Sequence, residues 1–161
     1  MGAAVRRAAR VNSRLLLVTS GGGHLAHLWR LRSLWEGRDR VWVCLDQPDA
    51  RMRLAGERVH WVHGPTTRSF SKLARNTLVA RTILAKERPD QVLSTGAALA
   101  IPFFWLAPLF GVRSVFLEVI DRIDTASLTG RAVAPVASQI IVQWPEQLQH
   151  YPSAECVGTL W

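Results

Sequence analysis

Three short stretches carry residue types and spacings that could do chemistry. The first is Ser20-Gly21-Gly22-Gly23-His24, directly after an apolar run at residues 14–19. Consecutive glycines permit positive φ and let a ligand come close to the backbone. A helix opening there offers unpaired N–H groups and a partial positive charge to a phosphate. An imidazole at that mouth can donate to the phosphate or take a proton from a hydroxyl, which makes His24 a candidate general base. The plain alternative is a tight turn with a surface histidine. The second stretch is Ser94-Thr95-Gly96, after which a helix is expected to open at Ala97. The amides of Gly22, Gly23, Gly96 and Ala97 would then converge on one edge. Two such turns on one edge make a better anion site than either alone. An ordinary Ser/Thr cap is the alternative here. The third stretch places Glu118 at the end of an apolar run, where a carboxylate is costly unless paired or used. Arg122 and Arg131 could pair with it or reach a phosphate. The run "SLTGR" beside them reads equally as a capped helix start or as a third polar loop.

Such residues need strands that end where they sit. Short Val-, Leu- and Ile-rich runs fall at residues 14–19, 40–45, 59–62, 91–94, 113–118 and 139–143, as expected for parallel strands buried on both faces. Helical stretches alternate with them at residues 25–35, 69–87, 97–110 and 128–134, with a short turn at 49–54. In the second, Phe70, Leu73, Leu78 and Leu84 are expected to line one face, with Pro89 as the stop. Repeated β-α units with right-handed crossovers predict an α/β fold with one Rossmann-like, doubly wound parallel sheet. Ligands then bind beyond the carboxyl ends of the strands, where all three stretches lie. A basic arm over residues 1–13 and one domain over residues 14–161 complete the expected organisation.

The same turn also fits a dinucleotide fingerprint, Gly21-x-Gly23-x-x-Ala26, with Asp46 twenty residues further on. That would make the chain an NAD(P)-binding oxidoreductase domain. This reading leaves the second loop, Glu118 and a histidine in the turn without a use.

Charge and composition narrow the partners. The net charge is +8 with a pI near 11.1, and arginine supplies nearly all of the cations. Such a surface suits phosphates or an anionic leaflet. Arg6, Arg7, Arg10 and Arg14 sit in the first residues, either as a solvated arm or as a patch for anionic lipid. No run reaches the roughly 18 apolar residues of a spanning helix. The nearest, residues 97–112, is broken by Pro102 and Pro108 and reads as a buried core helix or as an apolar ledge. Cys44 and Cys156 have no metal-binding or disulfide-framework spacing; with no metal-ligand cluster elsewhere in the sequence, a metal-independent reaction without a cofactor is expected.

The ordered motifs "TSGGGHLAHL", "STGAALAIPFFWLAPLFGVRSVFLEV", "RIDTASLTGR" and "VQWPE" resemble the PssD-type subunit of bacterial polysaccharide glycosyltransferases. That family is similar to the membrane-side, acceptor-binding subunit of the two-part transferase adding the second GlcNAc in N-glycan assembly. It also looks like the N-terminal half of the bacterial enzyme that adds GlcNAc to make lipid II. The resemblance implies the acceptor half of a GT-B glycosyltransferase, peripheral on the cytoplasmic face of the membrane. It implies a separate donor-binding subunit for the UDP-sugar, a polyprenyl-diphosphate-linked sugar as acceptor, and no nucleic-acid partner. Catalysis would fall to His24 or Glu118. The acceptor diphosphate would lie against Ser20, Gly21, Gly22, Gly23, Thr95, Gly96, Ala97, Arg122 and Arg131. Trp144, Pro145, Glu146 and Tyr151 would face the partner subunit, since aromatic anchors are enriched at interface centres. A non-catalytic membrane scaffold that recruits a complete transferase is the remaining alternative.

Overall fold

Seven strands alternate with five α-helices in the computed structural model of the chain, which describes residues 13–62 and 70–160. The strands are β1 (Leu15–Thr19), β2 (Arg40–Leu45), β3 (Val59–Val62), β4 (Gln91–Ser94), β5 (Arg113–Leu117), β6 (Gln139–Val142) and β7 (Glu155–Cys156). The helices are α1 (Gly22–Arg30), α2 (Pro48–Arg53), α3 (Phe70–Glu87), α4 (Ala100–Leu106) and α5 (Leu128–Val133), with 3-10 turns at Arg32–Leu34, Ala107–Phe110 and Pro145–Gln149. Arg6, Arg7 and Arg10 of the basic arm lie outside the described residues.

All six strand pairs are parallel, in the order β3-β2-β1-β4-β5-β6-β7. Side chains alternate across the sheet with period two. Leu16 and Val18 of β1 face a core shared with α3, α4 and α5, while Leu15 and Leu17 face one shared with α1 and α2. Both strand faces are therefore buried, which explains the unbroken apolar runs and bears out the doubly wound α/β expectation. Chain direction across the sheet reverses between β1 and β4. Such a switch point leaves a crevice at the carboxyl edge.

Three local expectations are corrected. The fourth helix opens at Ala100, not Ala97; Ala97 instead holds a left-handed φ of 76° in the turn before it. Leu78 is 66% exposed while Leu84 is fully buried, because six residues at 3.6 per turn place them about 120° apart on the helix. Residues 97–112 are both core and ledge: Phe103 and Phe104 are buried, whereas Trp105 is 52% and Leu109 80% exposed.

Candidate functional site

The β1–α1 and β4–α4 loops meet at the switch point, joined by a reciprocal pair of hydrogen bonds. The His24 Nδ1–H donates to the Thr95 carbonyl at 3.1 Å, and Thr95 Oγ1 donates to the His24 carbonyl at 2.9 Å. A carbonyl only accepts, so this contact fixes the proton on Nδ1 and leaves the Nε2 lone pair as the basic site. The ring packs flat against Gly96. A Cβ at Gly96 would lie 2.7 Å from His24 Cε1, and its φ of 122° also favours glycine. Thr95 is fully buried behind the imidazole, so its hydroxyl orients His24 and does not face a ligand.

The expected cradle is corrected at two amides. Gly22 N–H donates to Asp49 Oδ2 at 2.7 Å, and Gly96 N–H donates to Ser94 Oγ at 3.1 Å. A Cβ at Gly21 would meet Gln47 Oε1 at 2.0 Å, the free end of an exposed side chain that can move aside. Around Gly23 nothing lies within 4 Å of a would-be Cβ. The open part of the turn is therefore Gly23 and His24, with Ser20 half-buried beneath them. Asp49 already supplies the negative charge that a helix N-terminus favours, and Asp46 is ion-paired to Arg51 at 2.8 Å. The carboxylate of the dinucleotide reading, Asp46, is thus engaged within the chain.

A cavity of about 600 Å³ opens beside this turn. Gly23, His24 and His27 form one wall, and Ile120, Asp121, Arg122 and Ser127 belong to the other. His27 lies one turn after His24, and the spacing in "HLAH" could have marked it. It is 6% exposed, and burial pushes its pKa below the ordinary 6.5, helped by His24. A larger cavity, about 700 Å³ near Arg88 and Arg113, lies at the amino edge, away from these groups.

Glu118 is fully buried and lines neither of these two cavities. Val119 N–H donates to its Oε1 at 3.1 Å. Ser127 N–H at 3.1 Å, Ser127 Oγ at 3.0 Å and Tyr151 OH at 2.5 Å all donate to its Oε2. The partners expected for it, Arg122 and Arg131, are exposed and take no part in these bonds. Arg122 lines the cavity; Arg131 does not, lying instead on α5 near Tyr151. Ser127 also caps α5 by accepting from Gly130 N–H at 2.9 Å, so "SLTGR" is a capped helix start.

The partner segment divides. Pro145 and Glu146 are exposed, and Trp144 is half-buried with its indole N–H on the Ile120 carbonyl at 2.8 Å. Tyr151 is 3% exposed, which removes it from any outer surface. Burial, then the Glu118 hydrogen bond and charge, hold its phenol well above its ordinary range, so it is a neutral donor.

A single doubly wound parallel unit with its crevice at the carboxyl edge is one half of a GT-B fold. It superposes on MurG of Acinetobacter baumannii with a TM-score of 0.71 at 17% identity, covering 91% of this chain and 44% of that one. UDP-GlcNAc 2-epimerase of Methanocaldococcus jannaschii gives 0.71 at 12% identity, covering 91% and 45%. The chain thus spans less than half the length of either, and these likenesses speak for the fold. The chain belongs to the family described as "Oligosaccharide biosynthesis protein Alg14 like", which matches residues 49–160. Similar proteins named "UDP-N-acetylglucosamine transferase subunit ALG14" occur in Mus musculus and Candida albicans. The first is 25% identical over 183 residues, 94% of this chain and 84% of that protein. The second is 22% identical over 170 residues, 91% and 78%. The resemblance to the N-glycan transferase subunit is borne out; the narrower PssD-type label rests on the motif order alone.

Proposed function

We propose that this chain is the acceptor-binding subunit of a two-component glycosyltransferase. It holds a polyprenyl-diphosphate-linked sugar while a separate subunit holds the UDP-sugar, with UDP-GlcNAc the donor suggested by the names of its relatives. The observation that carries this reading is the cavity at the switch point, where His24 stands with Nδ1 held by Thr95 and Nε2 as its basic nitrogen. In the reaction the acceptor hydroxyl attacks the anomeric carbon and the bond from that carbon to the UDP oxygen breaks. UDP leaves with the electron pair, and the hydroxyl proton goes to His24 Nε2. The open Gly23 amide and the Arg122 guanidinium are the groups available to the acceptor diphosphate. Glu118, enclosed by its four donors, supports the cavity wall and is not in reach of the hydroxyl.

The reading extends to the membrane. Among the described residues no helix is long and apolar enough to cross one. The exposed Trp105, Leu109 and Leu128 give the α4–α5 face an apolar surface for a bilayer or a prenyl chain. With the cationic arm this supports peripheral attachment at the cytoplasmic face. Trp144, Pro145 and Glu146 are the surface offered to the donor subunit.

The test is reconstitution. The chain, co-purified with a candidate donor-binding subunit, is expected to transfer GlcNAc from UDP-GlcNAc to a polyprenyl-diphosphate sugar, and neither protein should do so alone. Full transfer by the partner alone would leave this chain a scaffold. Saturable NADH binding by this chain would revive the oxidoreductase alternative.

A further inference from the structure

The buried carboxylate at the end of β5 is held by four hydrogen-bond donors, and the way it is satisfied ties two distant parts of the chain together. Three of the four donors to Glu118 come from the 119–127 loop itself: Val119 N–H, Ser127 N–H and Ser127 Oγ. The fourth, Tyr151 OH, comes from 33 residues away. Beside it the packing is closed. A Cβ at Gly130 would lie 2.0 Å from the Tyr151 oxygen and 2.6 Å from Glu118 Oε2, so only glycine fits the first turn of α5. The segment that ends in Tyr151 grips the same loop at two more points. Trp144 Nε1 donates to the Ile120 carbonyl at 2.8 Å, and His150 Nε2 donates to the Asp124 carbonyl at 2.6 Å. Between these anchors lie Asp121 and Arg122, which face the cavity. Residues 121–125 are all exposed and carry no regular structure, and the loop's own backbone offers them little beyond a turn in which Arg122 N–H donates to the Val119 carbonyl at 3.2 Å. A binding group on such a loop is positioned only by what holds the loop from behind.

We propose that Tyr151 is a positioning residue for acceptor binding, acting through Glu118 and Ser127 to fix the 119–127 wall of the cavity. This deepens, and rests on, the acceptor-subunit reading. Without the phenol hydroxyl, Oε2 loses the one donor anchored outside the wall. The wall then loosens, and Arg122 must be ordered at the moment of binding.

Tyr151→Phe removes only the hydroxyl and keeps the ring that packs in the core. In the reconstituted complex we expect the acceptor KM to rise about tenfold, the size of losing one hydrogen bond to a buried charge. Turnover at saturating acceptor and the KM for UDP-GlcNAc should stay within about twofold, because the base lies on the other wall. Independently of activity, amide exchange at Ser127 and Gly130 should accelerate at least about tenfold while β5 amides keep their protection. A fall in turnover with unchanged acceptor KM, or unchanged exchange at Ser127 and Gly130, overturns the proposal. His150→Ala, at an exposed position, serves if Tyr151→Phe does not fold. Combined with Gln149→Ala it releases the Asp124 carbonyl, which both side chains hold, and loop exchange that stays unchanged there also overturns the proposal. If the wild-type complex transfers no sugar, the acceptor-subunit reading fails, while the exchange measurement still decides whether Tyr151 holds the wall.

Discussion

The two walls of the cavity reach order by opposite means. The glycine wall, from β1 and β4, is made of backbone: two turns joined through His24 and Thr95, with little side-chain bulk. The other wall, after β5, is an exposed loop held from behind by side chains, with the buried Glu118 carboxylate at its two ends and Trp144 and His150 between. Backbone turns are stiff because φ and ψ are set locally. A loop held by side chains is stiff only while every donor is in place. The first wall thus suits a base that must keep one geometry. The second suits recognition, where a shift weakens binding and leaves the chemistry intact.

The largest effect expected from this division is at His24. His24→Ala should lower turnover by about 10²–10⁴-fold, the usual contribution of a general base. Folding and complex formation should be unchanged. If activity survives at near-normal rate, the chemistry is not on the glycine wall and the contrast between the walls falls. Thermal melts and pull-down with the donor subunit separate lost chemistry from lost protein.

A pair of glycine substitutions sharpens the same contrast. Gly96→Ala adds a Cβ 2.7 Å from His24 Cε1 at a φ of 122°. It should cost about 1–3 kcal/mol of stability through backbone strain and displace the imidazole, lowering turnover. Gly23→Ala meets nothing within 4 Å and has no left-handed φ. There the helix should gain about 0.5–1 kcal/mol, and the only loss should be a raised acceptor KM. Equal behaviour of the two variants in melts and kinetics would mean that the turn has no separate structural and ligand-facing glycines.

These glycines show where the sequence was legible. Strand positions followed from apolar runs because a sheet buried on both faces leaves no other pattern, and β1 to β6 lie within a residue of expectation. The two-residue β7 carries too little pattern to be seen. The glycine-rich turn and His24 were visible because their residue types are unusual beside a strand. What the glycines made room for was not visible. Gly96 accommodates His24, and Gly130 accommodates Tyr151 and Glu118. A side chain from another element and a bound phosphate leave the same gap in a sequence. For the same reason Glu118 read as a base and Tyr151 as a surface aromatic, when each is the other's partner in the core. Their link spans 33 residues and has no local signature.

The smallest expected effect concerns a hydrogen-bonded bridge between the walls. Gln143 donates from Nε2 to the Glu118 carbonyl at 3.0 Å and lies 3.3 Å from His27 Nε2. An amide nitrogen donates, so His27 Nε2 accepts and the ring is neutral. Burial, His24 and Arg30 all lower the His27 pKa, and only Asp121 opposes them. The folded-state value therefore lies below 6.5, and the unfolded chain binds the proton more readily. The stability this gives is present above pH 6.5 and is lost as pH falls through the folded value. Protonation would turn an N–H toward the Gln143 amide and break the bridge. The melting temperature should thus drop between pH 7.5 and pH 5, with each unit of depression worth about 1.4 kcal/mol. His27→Gln keeps an acceptor for Gln143 and cannot titrate, so its melting temperature should fall less over that range. If the wild type and His27→Gln lose stability in parallel on acidification, the two walls are not joined through His27.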